Sequence, residues 1–283
     1  MILFKTIEPF REYLEKASLH NKKIGFVPTM GALHPGHLSL VQASKQATDI
    51  TVCSIFVNPT QFNDPRDFEK YPITIEQDIL LLEKQGCDVL FLPSVQEIYP
   101  GGTTGGKVYQ LGYLETILEG SFRPGHFQGV CQVVERLFTI VQPDLAFFGQ
   151  KDYQQCMVIR KLLELTGLDK TITIHIIPTL RETSGLAMSS RNMRLSEEDK
   201  QRATAIYQAL LYIQQHLAKE SIPTLIAKTQ AQLLQAGFEK IDYVAIANAD
   251  TLEPVESWNG KTSLVALVAA FLGGVRLIDN LVL

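Results

Sequence analysis

The stretch Ile24-Gly25-Phe26-Val27-Pro28-Thr29-Met30-Gly31-Ala32-Leu33-His34-Pro35-Gly36-His37-Leu38-Ser39-Leu40-Val41 decides how this chain is read. Ile24–Val27 is a short apolar run that predicts a buried strand. Leu38-Ser39-Leu40-Val41 opens a helix that the pattern carries to about Ala47. Between them lies a glycine-containing turn. Strand, turn and helix N-terminus together form an anion site, because unpaired N–H groups and the helix dipole converge on the turn. His34 and His37, three residues apart, add side-chain donors on the same side, and Gly36 lets the backbone approach a ligand closely. The turn Met30–His37 is therefore expected to hold the phosphates of a nucleotide. The plainer alternative is a helix cap with two surface histidines. A zinc site on His34 and His37 is weaker, since no third ligand is spaced nearby.

Working outward, residues 1–20 read as a helix with a polar face. Thr51 to Val57 is a β-branched run that Asn58-Pro59 stops. Thr74-Ile75-Glu76-Gln77 has the form of a capping box, followed by apolar Ile79 and Leu82 and a closing Gly86. Val89–Leu92 is the next strand. This β-α-β-α-β alternation predicts an α/β fold with a doubly wound parallel sheet. A helix from Phe127 to Val141, a strand Leu145–Phe148, a helix from Asp152 to Thr166 and a strand Thr171–Ile177 continue it. The pattern then changes: two helices, Ser196 to Ala218 and Ile222 to Ala236, precede short strands near Tyr243–Ala247, Ser263–Phe271 and Arg276–Ile278. A boundary near 183–185 is expected, giving domains 1–183 and 184–283, the second smaller and α+β.

The bulk properties bound the function. With 283 residues, 46% of them hydrophobic and 20% charged, the chain has the composition of a soluble globular protein. A net charge of −4 gives no support to a nucleic-acid binder. The longest apolar runs, such as Ser263 to Leu272, are too short to cross a bilayer, and the first residues lack a signal-peptide pattern. Cys53, Cys87, Cys131 and Cys156 form no C-x-x-C pair and are expected to be buried reduced thiols in a cytoplasmic protein.

Three further segments carry chemistry. In Ala187-Met188-Ser189-Ser190-Arg191-Asn192, two hydroxyls and a guanidinium can close over a triphosphate. Phe148-Gly149-Gln150-Lys151-Asp152-Tyr153-Gln154-Gln155 lies at the carboxyl end of a strand, where ligands of open α/β sheets bind. There Gly149 permits backbone contact, Lys151 offers a point charge, Asp152 an acceptor for ribose hydroxyls or a helix cap, and Gln155 faces the ligand one turn on. Val57-Asn58-Pro59-Thr60-Gln61-Phe62 also follows a strand. Gln61 and Gln155 supply neutral amides, which suit a small acid whose carboxylate must stay nucleophilic.

Taken together with Tyr71-Pro72, Glu97-Ile98-Tyr99-Pro100, Leu118-Glu119-Gly120-Ser121-Phe122-Arg123-Pro124-Gly125-His126 and Arg276-Leu277-Ile278-Asp279-Asn280, these segments closely resemble the pantothenate synthetase (pantoate–β-alanine ligase) family. The resemblance implies a Rossmann-like nucleotidyltransferase domain followed by a C-terminal lid domain. It implies ATP as co-substrate, Mg²⁺, a homodimer, and formation of pantothenate from pantoate and β-alanine through a pantoyl adenylate. Carried over by position, Met30, Gly31, Ala32, Leu33, His34, Pro35, Gly36 and His37 bind ATP, as do Gly149, Gln150, Lys151, Asp152, Leu180, Met188, Ser189, Ser190 and Arg191. Leu180 would meet the adenine through its backbone. His37 falls on the proton donor, with His34, Lys151, Ser189, Ser190 and Arg191 in the catalytic set. Gln61 and Gln155 fall on pantoate ligands, Gln61 also beside β-alanine, and Asn58, Arg123 and Glu119 lie near that pocket. Asp78 is the candidate metal contact, Gln77 replacing the acidic neighbour that some members carry. Gln150 stands where many members have Glu, and Gly274-Val275 precedes Arg276 where Thr is usual. The competing readings are an H-x-G-H adenylyltransferase acting on a phosphate acceptor, which calls for an additional Arg or Lys cluster, and a nucleotide-sensing module without turnover.

Overall fold

Alternation along the strands explains the larger half of the molecule. The computed structural model describes residues 1–63 and 68–283. In chain order the elements are β1 (Ile2–Phe4), α1 (Ile7–Leu19), β2 (Ile24–Thr29), α2 (Pro35–Ala47), β3 (Ile50–Ile55), α3 (Ile75–Gln85), β4 (Val89–Phe91), α4 (Val95–Ile98), α5 (Leu118–Phe122), α6 (His126–Val141), β5 (Leu145–Gly149), α7 (Tyr153–Thr166), β6 (Thr173–Ile177), α8 (Glu197–Ala203), α9 (Ala205–His216), α10 (Ile222–Gln235), β7 (Lys240–Asn248), β8 (Leu264–Leu272) and β9 (Val275–Val282). The first six strands form one parallel sheet in the order β1-β4-β3-β2-β5-β6.

Side chains on a strand alternate between faces, and here both faces are covered. Phe26, Val52, Phe91 and Phe148 join one buried cluster with residues of α1, α6 and α7. Their neighbours Val27, Cys53, Leu90 and Phe147 join another with Leu40, Val41 and Leu82 of α2 and α3. Such two-sided burial reads in sequence as a continuous apolar run. Sequential strands step one way from β2 to β4 and the other way from β5 to β6, so the direction reverses between the neighbours β2 and β5. Ligands of open parallel sheets bind beyond the strand ends at such a reversal.

The helix expected over residues 1–20 needs correction at its start. Ile2, Leu3 and Phe4 instead pair in parallel with Val89, Leu90 and Phe91 at the sheet edge. A three-residue edge strand is too short for any periodicity to show. The single helix expected from Ser196 to Ala218 is two, broken at Thr204. The Thr204 hydroxyl donates to the Gln201 carbonyl at 2.7 Å and competes with the helical ladder there.

The chain divides into two compact units, one of Met1–Gly149 with Gln154–Pro178, the other of Gln150–Tyr153 with Thr179–Leu283. The second unit's main part thus begins at Thr179, and a four-residue piece after β5 goes with it. In that unit β7, β8 and β9 form an antiparallel sheet. Gly273 and Gly274 join β8 to β9 with φ of +57° and +68°, the geometry that a two-residue hairpin turn requires and that glycine alone adopts without strain. Leu210, Ile213, Leu225 and Leu233 of α9 and α10 pack with Val268, Ala270 and Leu272 of β8 and form the core of this unit.

Candidate active site

In the first unit the turn after β2 is held open by an inward-facing carboxylate. Gly31 and Ala32 both have positive φ, +82° and +48°. That costs a non-glycine residue free energy unless something compensates. Asp78 of α3 provides the compensation. Its Oδ2 accepts from the Ala32 amide at 2.9 Å, and its Oδ1 from the Leu33 amide at 2.8 Å and the Thr74 hydroxyl at 3.2 Å. The residue is 0% exposed. Thr74 stands at the N-cap of α3 but makes no side-chain cap bond; its hydroxyl serves Asp78 instead of the expected capping box. Asp78, expected as a metal contact, here spends both oxygens on the amides and hydroxyl of the turn and helix start. Among the described residues no group of three or more His, Cys, Asp and Glu side chains could hold a metal ion.

Helix α2 begins with Pro35 at its first position, where no N–H is needed. His34 is its N-cap, accepting from the Gly36 amide through Nδ1 at 3.1 Å. The His34 amide points to Nδ1 of His37 at 3.4 Å, and the two rings lie 4.0 Å apart between centroids. A ring nitrogen that accepts an N–H cannot also carry a proton, so in both neutral imidazoles the proton sits on Nε2. The two histidines are thus both a helix cap and a pair of Nε2–H donors at a helix N-terminus. The cap does not displace the ligand reading; it fixes the tautomers.

A second cluster surrounds Gln61, also in the first unit. The Gln61 amide donates to the Met30 sulfur at 2.9 Å and accepts from Asn58 Nδ2 at 3.2 Å. Asn58 Nδ2 also donates to the Gly129 carbonyl at 3.2 Å, and Asn58 Oδ1 accepts from the Tyr99 hydroxyl at 2.9 Å. Arg123 donates to His126 Nε2 at 3.1 Å, which leaves His126 Nδ1–H to donate to the Gln61 carbonyl at 2.8 Å. Glu119 stands 3.7 Å from Arg123. Asn58 and His126, the latter oriented by Arg123, therefore hold Gln61 from two sides. The approach of α6 depends on Gly129, since a Cβ there would lie 2.2 Å from the Thr60 carbonyl oxygen.

The Gln154-Gln155 pair divides its work. Gln154 is 2% exposed and binds the Glu119 amide and the Leu114 and Ile117 carbonyls at 2.8–3.0 Å. Its neighbour Gln155, on the first turn of α7, makes no side-chain hydrogen bond to the described residues and is half-buried. Sequence reasoning missed Gln154, whose role as a scaffold for residues 114–119 has no local signature.

The second unit carries the remaining candidates. Gln150–Asp152 is a single 3-10 turn, with the Lys151 ammonium 3.8 Å from Asp152. Leu180 to Met188 is a small hairpin: the Met188 amide donates to the Leu180 carbonyl at 3.0 Å, and Arg181 bridges Ala187. Ser189 caps the 3-10 turn Ser190–Arg194 by accepting from the Arg191 amide at 3.3 Å. Asn192 closes the segment onto the Ala187 carbonyl at 3.0 Å. Met188, Ser189, Ser190 and Arg191 are thus presented by an ordered hydrogen-bonded segment.

Comparison with known proteins covers the whole chain. The family model described as pantoate-beta-alanine ligase matches residues 2–282. Pantothenate synthetase of Cytophaga hutchinsonii is 46% identical, with 100% of this chain and 99% of the relative aligned. That of Caldicellulosiruptor bescii is 45% identical over 100% and 99%. Among solved structures, pantothenate synthetase from Thermus thermophilus superposes with a TM-score of 0.90 at 40% identity, covering 99% of both chains. The pantoate-beta-alanine ligase from Francisella tularensis, complexed with beta-gamma ATP and beta-alanine, gives 0.82 at 38% identity over 100% and 97%.

Proposed function

This chain belongs to the pantoate–β-alanine ligase family and is a ligase of that class; from that premise we propose that it works through a pantoyl adenylate, with ATP as co-substrate. A pantoate carboxylate oxygen attacks the α-phosphorus of ATP, and pyrophosphate leaves. The β-alanine amine then attacks the acyl carbon, the acyl–oxygen bond breaks, and AMP departs with pantothenate formed.

The observation that carries this reading is the pair of histidines at the N-terminus of α2, their Nδ1 atoms turned to backbone amides, beside a turn whose amides are fixed by Asp78. Phosphoryl chemistry asks for positioned donors and positive charge rather than covalent help. His37 donates from Nε2 to the phosphate oxygen that gains charge as pyrophosphate leaves, and His34 stabilises its neighbour. Lys151, Ser189, Ser190 and Arg191 bind the triphosphate, with Met30–Pro35, Gly36, Gly149, Gln150, Asp152, Leu180 and Met188 completing the nucleotide contacts. Gln61 and Gln155 hold pantoate through amides, which orient the carboxylate without quenching its charge, and Gln61 also meets β-alanine. Asn58 bonds Gln61 directly and Arg123 reaches it through His126, so both act on pantoate binding through Gln61. When bound, Mg²⁺ neutralises charge on the phosphates; its shell would come from phosphate oxygens and water, since Asp78 is committed to the turn. The enzyme is expected to be a cytoplasmic homodimer whose second unit acts as a lid excluding water from the acyl adenylate. No helix among the described residues is long and apolar enough to cross a membrane.

Heavy-oxygen label in the pantoate carboxylate tests the intermediate. One labelled oxygen is expected in AMP. Label appearing in pyrophosphate or phosphate, and none in AMP, would overturn the adenylate route.

A further inference from the structure

The run Arg276-Leu277-Ile278-Asp279-Asn280 on β9 has no part in the chemistry above, yet two of its members hold segments assigned to ATP. Asp279 and Asn280 are 5% and 2% exposed. Consecutive strand residues point to opposite faces, so the pair can hold two segments at once. Asn280 Nδ2 donates to the carbonyl of Gln150 at 3.0 Å and to that of Lys151 at 2.8 Å, while its Oδ1 accepts from the Gln150 side-chain amide at 3.4 Å. Two carbonyl acceptors require the NH₂ group at that position, which fixes the orientation of the Asn280 amide. Asp279 takes Arg181 in a fork, at 2.5 and 3.0 Å. Arg181 also donates to the Gly185 carbonyl at 3.2 Å and lies over the Tyr207 ring at 3.8 Å, anchoring the hairpin that leads to Met188.

The consequence is greatest at Lys151. A lysine is a point charge on a flexible four-carbon stem, so its placement depends on how well its root is fixed. Gln150–Asp152 is one 3-10 turn, with little ladder of its own. One amide group holding two successive carbonyls fixes two peptide planes, and with them the direction in which the Lys151 side chain leaves the backbone. We propose that Asn280 is a positioning residue for adenylation, acting by fixing the root of Lys151. This rests on the assignment of Lys151 to the triphosphate.

The test is a double-mutant cycle of Asn280→Asp and Lys151→Ala, read as KM for ATP and KM for pantoate in the adenylation half-reaction. The Asp variant keeps the size of Asn280 but loses both donors. Alone it is expected to raise KM for ATP about tenfold, with KM for pantoate within about twofold. In the Lys151→Ala background its effect on ATP should fall below about twofold. Should the carboxylate variant not fold, Asn280→Ser, which keeps one donor, gives the same comparison. Leu210→Ala in the core of the same unit is the control for simple loosening, expected to lower Tm without raising KM for ATP. An equal rise in both backgrounds, or a Leu210→Ala effect of the same size, would overturn the positioning role while leaving Lys151 in place. If Lys151→Ala itself leaves ATP unaffected, the assignment of Lys151 falls and this role with it.

Discussion

The turn after β2 and the hairpin at Arg181 are each held by a buried aspartate, but from different distances in the chain. Asp78 reaches back 46 and 45 residues to Ala32 and Leu33, between neighbouring elements of a parallel sheet, and takes backbone amides directly. Asp279 reaches 98 residues to Arg181 and takes a side chain, with Asn280 beside it taking carbonyls 130 and 129 residues away. The first arrangement shapes a turn that would otherwise be strained. The second pins pieces that have almost no secondary structure of their own. A turn after a strand can thus be built locally and trimmed by one carboxylate, whereas Lys151 on its short turn depends on a distant strand.

Variants separate these arrangements, beginning with the histidine beside the turn that Asp78 shapes. His37→Ala should reduce the adenylation rate by about 10²–10⁴-fold, the usual range for a proton-transferring side chain, with pantoate affinity little changed. Single-turnover measurement of adenylate formation reads this, and survival within a few-fold of the parent would remove His37 from catalysis. Asp78→Ala is next. Three bonds to a buried carboxylate are lost and two amides are left unpaired, a destabilisation on the order of 3 kcal/mol with weaker ATP binding. The Mg²⁺ concentration for half-maximal activity should stay put at saturating ATP. A large rise in that concentration would make Asp78 a metal ligand and break the comparison.

The histidine turn and the two-faced sheet were legible in the sequence because their signals are local. Apolar runs, a glycine turn and a helix start sit within a few residues of one another. What held them was not legible. Thr74-Ile75-Glu76-Gln77 reads as a capping box, yet Thr74 makes no side-chain cap bond and its hydroxyl donates to Asp78. Gln154 and Gln155 are identical in sequence terms, and only the helix rotation sends one into the core. The strand expected to end at Ile278 runs on to Val282, since Asp279 and Asn280 look polar but are fully bonded inside. Ile2–Phe4 was hidden by its brevity. For Gln154, Asp279 and Asn280 the deciding partner is remote in sequence and leaves no trace in local composition.

The two units also carry separate reporters, which sharpens the contrast with less loss of activity. All four cysteines lie in the first unit, while the single tryptophan, Trp258, lies in the second. Asp78→Ala should bring forward the urea concentration at which the cysteines become labelled, leaving the Trp258 fluorescence transition nearly unmoved. Arg181→Ala, which strands the buried Asp279, should do the reverse. Equal shifts of both reporters in both variants would mean that neither aspartate acts on its own unit.

The smallest effect is in pH. Burial pushes the Cys87 thiol up to about 11 and Cys131 up to about 12. Native thiols therefore stay protonated where unfolded ones, near 8.5, ionise. Because the folded state then binds more protons, stability from these groups is complete below about pH 8.5 and is lost as pH rises toward about 11 for Cys87 and about 12 for Cys131. Native labelling at pH 8 should accordingly be slow and governed by opening; rapid labelling of all four cysteines without urea would contradict the burial.

Pyrophosphate exchange into ATP tests the adenylate route most directly. Exchange is expected with pantoate present and β-alanine omitted, and it should collapse in His37→Ala. Exchange that needs β-alanine, or that proceeds without pantoate, would contradict a pantoyl adenylate formed on the histidine turn.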